Sequence, residues 1–173
     1  MKIMGRIIWV SGLMAVLLGH GCVNTPRGQA AGGDVAVETL HSWALCTGAS
    51  TSPNAVWIDS RQMFKVHWQR IHSHRIGAGK PSIPQIEWDT HGLVLIHMGQ
   101  KPTGGYGLEL IRRRALLKDG TAHVRVNWKQ PPANAIATTM ITSPCLLVKI
   151  RRGDYHSVAI IDQSGRRRAQ ADL

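Results

Sequence analysis

Apolar side chains fall at every second position between residues 121 and 129, which is the period of a half-buried β-strand. Asp119-Gly120, directly before this segment, predicts a hairpin turn, because glycine adopts positive φ at no steric cost. Four other short apolar segments predict further strands, at 93–98, 106–111, 146–150 and 156–161. The second half of the chain is therefore predicted to form a mainly antiparallel sheet.

One segment ahead of these strands has helical spacing. Phe64, Trp68 and Ile71 recur at i, i+4 and i+7, which places them on one apolar face of a helix. Asp59 or Ser60 can cap its start with a side-chain oxygen, and a glycine- and proline-rich segment ends it. We therefore expect an α+β domain, in which one N-terminal helix packs on a mainly antiparallel sheet or small β-sandwich of about five to seven strands.

The first 21 residues have the pattern of an export signal. A short positive segment precedes the apolar run Ile7–Leu18, which is too short to span a bilayer. Small residues then come directly before Cys22, as in a lipoprotein signal, where the cysteine thiol is diacylated. Leu18 lies one position further from Cys22 than the leucine of such signals does. An ordinary cleaved secretory signal and an uncleaved anchor are therefore the alternatives.

The composition of the rest of the chain predicts a tether, a single domain and a tail. Residues 22–34 are small, polar and glycine-rich, which predicts a flexible tether. Residues 35–165 hold all the periodic segments and are predicted to form a single domain. Residues 166–173 begin with three arginines and are predicted to form a basic, disordered tail.

Lysine and arginine total 21 against 10 acidic residues, which gives a formal charge of +11. The arginines are concentrated in short clusters at 112–114, 151–152 and 166–168. Such clusters can bind nucleic acid, but an exported chain would meet anionic lipid, cell-wall polymer or an acidic protein instead. A solvated surface is the simplest interpretation, and we expect no nucleic-acid partner.

Export also changes the meaning of the cysteines. If Cys22 carries lipid, Cys46 and Cys145 remain, and two thiols in an oxidising compartment are a candidate disulfide. Two buried free thiols are the alternative. Neither cysteine has a local motif that supports a catalytic cysteine–histidine pair. A thiol-dependent enzyme is therefore the least favoured hypothesis.

Other chemical motifs are weak. The sequence contains neither GxSxG nor HExxH. His72-Ser73-His74 could contact a metal, although a solvated helix end is the simpler explanation for histidines at this place. We expect no catalytic residue, no metal and no cofactor.

The segment GQKPTGGY, Gly99–Tyr106, contains the glycine, lysine and threonine of a phosphate-binding loop but not their spacing. In that loop a glycine precedes the lysine and Ser or Thr follows it, whereas Lys101 stands between Gln100 and Pro102. A strand also follows this segment, where the phosphate loop requires a helix. Pro102 and the paired glycines instead predict a tight turn, after which Tyr106 begins the returning strand.

Taken in order, these motifs resemble the family named for the PrcB protease-complex subunit, through its C-terminal domain. The resemblance covers about Ile58 to Asp162, with its motif-rich core at 91–152. Its hallmarks are a G-x-x-x-T-G-G-Y turn between two strands and a later S-P-x-x-L-V strand. They match here Gly99, Thr103, Gly104, Gly105, Tyr106, Ser143, Pro144, Leu147 and Val148. The chain departs from the pattern with Trp88 in place of Phe and with Cys145 in place of an aromatic residue, where a bond to Cys46 would replace aromatic packing.

The resemblance implies a non-catalytic accessory protein. We expect an exported, lipid-anchored envelope protein, at the outer membrane or in the periplasm, or periplasmic or secreted if it is not lipidated. It would bind or stabilise an envelope protein, such as a protease complex, with Gly99 and Lys101–Tyr106 as a structural motif or partner-binding turn. The alternative is a protease inhibitor, because Lys101–Tyr106 also resembles the N-P-T-T-G-[YF] loop of the chagasin-type inhibitors.

Overall fold

The computed structural model describes residues 33–48, 50–73, 82–134 and 138–173. The predicted signal peptide, Cys22 and the tether up to residue 32 lie outside the described residues. The helix found in these ranges lacks the length and hydrophobicity of a membrane-spanning segment. The elements are β1 Asp34–Trp43, β2 Asn54–Ile58, α1 Arg61–Ile71, β3 His91–His97, β4 Gly107–Leu110, β5 Arg114–Lys118, β6 Thr121–Lys129, β7 Cys145–Arg151, β8 Ser157–Ile161 and β9 Arg167–Asp172.

Eight of the strands form one continuous path, in the order β2-β3-β7-β1-β5-β6-β8-β9, and β4 pairs with β6 beside it. The pairings are antiparallel, apart from the parallel pair of β6 and β8. The two ends of the path, β2 and β9, contact each other, so the sheet nearly closes into a barrel. Closure protects strand edges that would otherwise leave backbone groups unpaired.

The expected fold class is wrong. The described residues do not form the α+β arrangement of an N-terminal helix on a sheet or small sandwich. They form a β-rich, barrel-like sheet with one short helix, which follows β1 and β2. The cause lies in β1, which pairs with β5 through residues 34–36 and with β7 through residues 37–43. An irregular register between Thr39 and His41 accompanies this change of partner. This change of partner within β1 depends on pairing between residues that are distant in sequence, which side-chain periodicity does not encode.

The local elements are confirmed where the pattern was strong. Helix α1 begins after Ser60, whose Oγ accepts a hydrogen bond from the Met63 N–H at 3.4 Å. Phe64, Trp68 and Ile71 are its buried residues, as predicted from their spacing. The predicted strands match β3, β4, β6, β7 and β8, and Asp119-Gly120 joins β5 to β6.

Two hydrophobic cores share strands β3 and β7. Every strand contributes to the core inside the barrel, whereas the second core lies between α1 and the outer face of β3 and β7. These two strands are buried on both faces, which explains why their sequences are continuous apolar runs rather than alternating ones. Alternate residues fall in the two cores: Val94, Ile96, Val148 and Ile150 face the interior, and Leu93, Leu95 and Leu147 face the helix.

The expectation of a disordered tail at 166–173 is also corrected, because β9 pairs with β8 along this segment. Ala169 and Ala171 pack against the interior core between exposed polar residues. The turn into β9 is built on Asp162, which is fully buried. Its carboxylate accepts hydrogen bonds from the Ser164 N–H and hydroxyl, the Arg166 N–H and the Arg168 Nε–H, at 2.6–2.9 Å.

These contacts make Asp162 an anchor for the last strand. Burial alone would raise the pKa of the Asp162 carboxyl, but the hydrogen bonds from Ser164, Arg166 and Arg168 outweigh it and lower the pKa to about 2. A carboxyl with a lowered pKa in the folded state stabilises the fold above its unfolded pKa. This stabilisation is lost as the pH falls toward 2.

We predict that Asp162→Asn lowers the free energy of unfolding at pH 7 by about 1–3 kcal/mol, because charge-assisted hydrogen bonds are lost and Arg168 is left unpaired. The difference from the wild type should shrink between pH 4 and pH 2, where the wild-type carboxylate becomes protonated. Chemical denaturation across this range measures both effects. Asp154→Asn, at an exposed carboxylate, is the control and should change stability by less than about 0.5 kcal/mol. A constant difference at all pH values would contradict the assigned role.

Candidate functional site

The Gly99–Tyr106 loop connects β3 to β4 and is bonded to a second segment of the chain. Lys101 exchanges two backbone hydrogen bonds with Thr142, at 2.8 and 2.9 Å. The Thr142 hydroxyl donates to the Thr103 carbonyl oxygen at 2.8 Å, and the Gly104 N–H donates to the Thr138 carbonyl oxygen at 3.0 Å. Residues 101–106 and 138–142 therefore form one continuous surface, here called the loop surface.

Two glycines of the loop have conformations that other residues avoid. Gly99 has φ of +78° and Gly105 has φ of +85°, both in the left-handed region. A Cβ at Gly99 would lie 2.5 Å from the Thr51 carbonyl oxygen, which is a backbone atom that cannot move aside easily. The predicted tight turn is therefore present, and its glycines are required by both backbone conformation and space.

Tyr106 lies half-buried and packs against the interior core. The Lys101 ammonium group lies 5.9 Å from the centre of its ring, within the range of a cation–π contact. Pro102 and Gly105 are the exposed residues of the 101–106 segment. An inward tyrosine in a loop that is bonded to its neighbour favours the interpretation as a structural motif or docking turn over that of a projecting inhibitory wedge.

The loop surface carries two adjacent exposed apolar side chains, which sequence patterns did not single out. Met140 is 59% exposed and Ile141 is 64% exposed. They lie between Thr138 and Thr142, the two residues whose backbone groups bond to the loop. A groove of about 830 Å³ is lined by Gly104 and Gly105 of the loop, by Thr138 and by Pro131. The surface thus combines a rigid turn, an apolar pair and a groove.

The second candidate site is the pair Cys46 and Cys145, which form a disulfide with Cα atoms 6.1 Å apart. They are 99 residues apart in sequence, so the bond stabilises the fold by about 4–5 kcal/mol in the chain-entropy description. A disulfide leaves neither thiol free for nucleophilic catalysis, which removes the support for a thiol-dependent enzyme in this state.

His97 lies beside this disulfide, and sequence analysis did not connect the three residues. It ends β3 directly opposite Cys145, the first residue of β7. His97 is only 6% exposed, and its Nδ1 has no hydrogen-bond partner among the described residues. Burial, with a smaller contribution from His67, lowers the pKa of the His97 imidazole to about 4, so the ring is neutral at neutral pH. The signal that could have revealed it is a histidine that ends an otherwise apolar strand.

His72, the described histidine at the end of α1, has a structural role. The His72 Nδ1–H donates to the Trp68 carbonyl oxygen at 2.8 Å, and its ring packs against the Trp68 ring with 4.4 Å between centroids. His74 lies outside the described residues. His72 therefore caps the helix, and the proposed metal contact at His72-Ser73-His74 gains no support from it.

Each arginine cluster contributes at least one residue to the contacts that hold the fold together. Arg114 forms an ion pair with Asp34, and Arg168 with Asp162. Arg152 donates hydrogen bonds to the carbonyl oxygens of Trp88, His91 and Asp59, at 2.9–3.2 Å. Part of the positive charge thus holds loops and strands together.

Comparison with known proteins adds one finding. Residues 93–151 match the family model described as PrcB C-terminal. The matched segment runs from β3 through β7 and includes the loop surface, His97 and Cys145, so the resemblance seen in the sequence is confirmed over this interval. No curated protein and no solved structure gave a match.

We predict that Gly99→Ala destabilises the domain more than Gly165→Ala does. Both glycines have φ near +80°, but a Cβ at Gly165 would have no atom of the described residues, beyond its own chain neighbours, within 4 Å. Gly165→Ala should therefore cost about 1–2 kcal/mol from backbone conformation alone, and Gly99→Ala should cost more because of the contact with Thr51. Chemical denaturation of both variants measures the difference, and equal losses would contradict the close packing of this turn.

Proposed function

We propose, from the PrcB C-terminal match over residues 93–151, that this chain is a non-catalytic protein associated with a protease complex. In this proposal it is exported, carries a lipid on Cys22 and lies at the outer membrane or in the periplasm. Its task is to bind or stabilise a partner protein of the envelope, through the loop surface, without a cofactor and without nucleic acid.

The observation that carries the proposal is the pair Met140 and Ile141, which are 59% and 64% exposed. Exposure of adjacent large apolar side chains to water is unfavourable in free energy. A partner that covers them would remove this unfavourable contribution. Lys101 exchanges backbone hydrogen bonds with Thr142, the residue after Ile141, so a charged residue lies at the edge of this apolar pair. Protein interfaces commonly have this arrangement.

The rigidity of the loop surface also supports a docking role. Backbone hydrogen bonds join Lys101 to Thr142 and Gly104 to Thr138, and the Thr142 hydroxyl adds a third connection to Thr103. A surface that is already ordered loses little conformational entropy when a partner binds. The free energy gained by burying Met140 and Ile141 can then contribute to the binding affinity.

The position of the tether is compatible with this role. Asp34, at the start of β1, pairs with Leu116, whereas Trp43, at its end, pairs with Cys145. A ten-residue strand spans about 30 Å. The loop surface lies at the Cys145 end, because Met98 bonds to Pro144 there. A chain anchored through its N-terminal segment would therefore present the loop surface at the end away from the attachment point.

Site-specific photocrosslinking in the producing cells tests the proposal. A photoreactive amino acid at Ile141 or at Pro102 should capture the same envelope protein, because both positions lie on the loop surface. Leu116 is the matched control, since its side chain is 55% exposed but lies beside Asp34 at the other end of β1. Capture of the same proteins from all three positions, or of none from Ile141 and Pro102, would contradict the proposal.

A charged substitution separates binding from folding. Ile141→Asp should reduce recovery of the captured protein about tenfold or more, as expected when an apolar contact at an interface centre is lost. Its midpoint of thermal unfolding should stay unchanged, because Ile141 is exposed.

Mass spectrometry of the mature wild-type protein tests the lipid anchor. A diacylglyceryl mass on Cys22 supports the anchor, and an unmodified N-terminus at another residue refutes it.

A further inference from the structure

Three potential metal ligands meet at one end of the β3–β7 pair. The Sγ atoms of Cys46 and Cys145 and one imidazole nitrogen of His97 all lie within 4.8 Å of one another. Metal–sulfur bonds of about 2.3 Å and metal–nitrogen bonds of about 2.0 Å place the ligand atoms of a three-coordinate site about 4 Å apart. A disulfide holds its sulfur atoms about 2 Å apart, so after reduction they must separate by about 2 Å to reach this arrangement.

Regular structure, rather than a mobile loop, positions these ligands. His97 and Cys145 are register partners at the end of β3 and the start of β7. Cys46 follows β1, and its N–H donates to the Ser143 carbonyl oxygen at 2.9 Å. The backbone atoms that carry the three ligands are therefore fixed by sheet hydrogen bonds in addition to the disulfide, which is a requirement for a preorganised site.

An independent observation points to a ligand at this place. The Nδ1 atom of His97 is buried and has no hydrogen-bond partner in the part of the chain that the structure describes. Buried polar atoms without a partner are uncommon in native proteins, and an ion is one of the recognised explanations. A neutral imidazole with an unused ring nitrogen is also the form in which histidine binds metals.

We propose that reduction of the Cys46–Cys145 disulfide creates a site in which both thiolates and His97 bind one Cu(I) ion. A dithiol reductant supplies the two electrons and two protons that convert the disulfide to two thiols, and it becomes a disulfide itself. Binding of Cu(I) then releases the two thiol protons, and the copper does not change its oxidation state. This inference is independent of the proposed docking role.

The choice of Cu(I) follows from the ligands and their surroundings. Thiolates favour soft ions, of which Cu(I) and Zn(II) are the common ones in proteins. Zn(II) in structural sites takes four ligands in a tetrahedron, and catalytic zinc completes this set with water. The three ligand residues are at most 6% exposed, and Cys46 and Cys145 belong to the apolar core that contains Phe64 and Trp68. A dry site with three ligands therefore fits Cu(I) better than Zn(II).

Competition with a Cu(I) indicator tests the proposal. The full chain with Cys22→Ser contains only the two relevant cysteines, because the sequence has three. After anaerobic reduction and removal of the reductant, this protein should take one Cu(I) per chain from bicinchoninate. The same protein with its disulfide intact should take none. Equal uptake by both forms would overturn the proposal, as would preferential uptake of Zn(II) by the reduced form.

Two variants isolate the contribution of the histidine. His97→Ala should weaken Cu(I) binding by at least tenfold, since even changes around the ligands of a metal site cost about 10–100-fold. His123→Ala, on β6 and outside the cluster, is the matched control and should leave the affinity unchanged. Equal affinities of the two variants would show that His97 is not a ligand.

Copper X-ray absorption gives a readout that does not depend on how well the variants fold. The loaded Cys22→Ser protein should have two sulfur scatterers and one nitrogen scatterer around copper. Two sulfurs without nitrogen, or a shell of nitrogen alone, would contradict the assigned ligands. Circular dichroism of the reduced and oxidised forms checks that the reduced chain keeps its sheet.

Discussion

The pairing of β3 with β7 is the interaction on which the rest of the structure depends. The two strands are in register along their whole length, from His91 opposite Arg151 to His97 opposite Cys145. One face of the pair completes the barrel interior, and the other carries α1 and its aromatic residues. Because both faces are buried, the pair has little freedom to slip, since a shift by one residue would exchange the two cores.

Both candidate sites lie at the same end of this pair. At that end the Met98 N–H donates to the Pro144 carbonyl oxygen at 2.9 Å, which continues the β3–β7 ladder into the loop surface. The disulfide and His97 lie one residue behind this bond. The geometry of the loop and that of the cysteine site are therefore set by the same strand ends, although the two sites use different chemistry.

The sequence predicted the elements whose signals are local. The spacing of Phe64, Trp68 and Ile71 fixes a helix face, Asp119-Gly120 fixes a hairpin, and the alternation in 121–129 fixes a strand. What it did not predict depends on contacts between distant residues. Strand β9 was missed because three arginines dominate its start, while the carboxylate that fixes Arg168 belongs to Asp162. Barrel closure was missed because the change of partner within β1 has no periodic signature.

The sequence likewise predicted only part of the candidate site. The turn at Gly99–Tyr106 could be predicted, because proline fixes one φ angle and the paired glycines permit conformations that other residues avoid. Met140 and Ile141 were not, because an apolar residue in an irregular segment has no pattern that separates an exposed side chain from a buried one. His97 became visible as part of a cluster only when the register of β3 and β7 placed it opposite Cys145.

The central claim is that the loop surface is already formed before any partner binds. Amide hydrogen exchange of the purified chain tests this most directly, at the Lys101 and Gly104 N–H groups that donate to Thr142 and Thr138. The account predicts that both amides exchange many times more slowly than in an unstructured peptide, although they lie in an irregular loop. Exchange at the unstructured rate, while β3 and β7 stay protected, would contradict it.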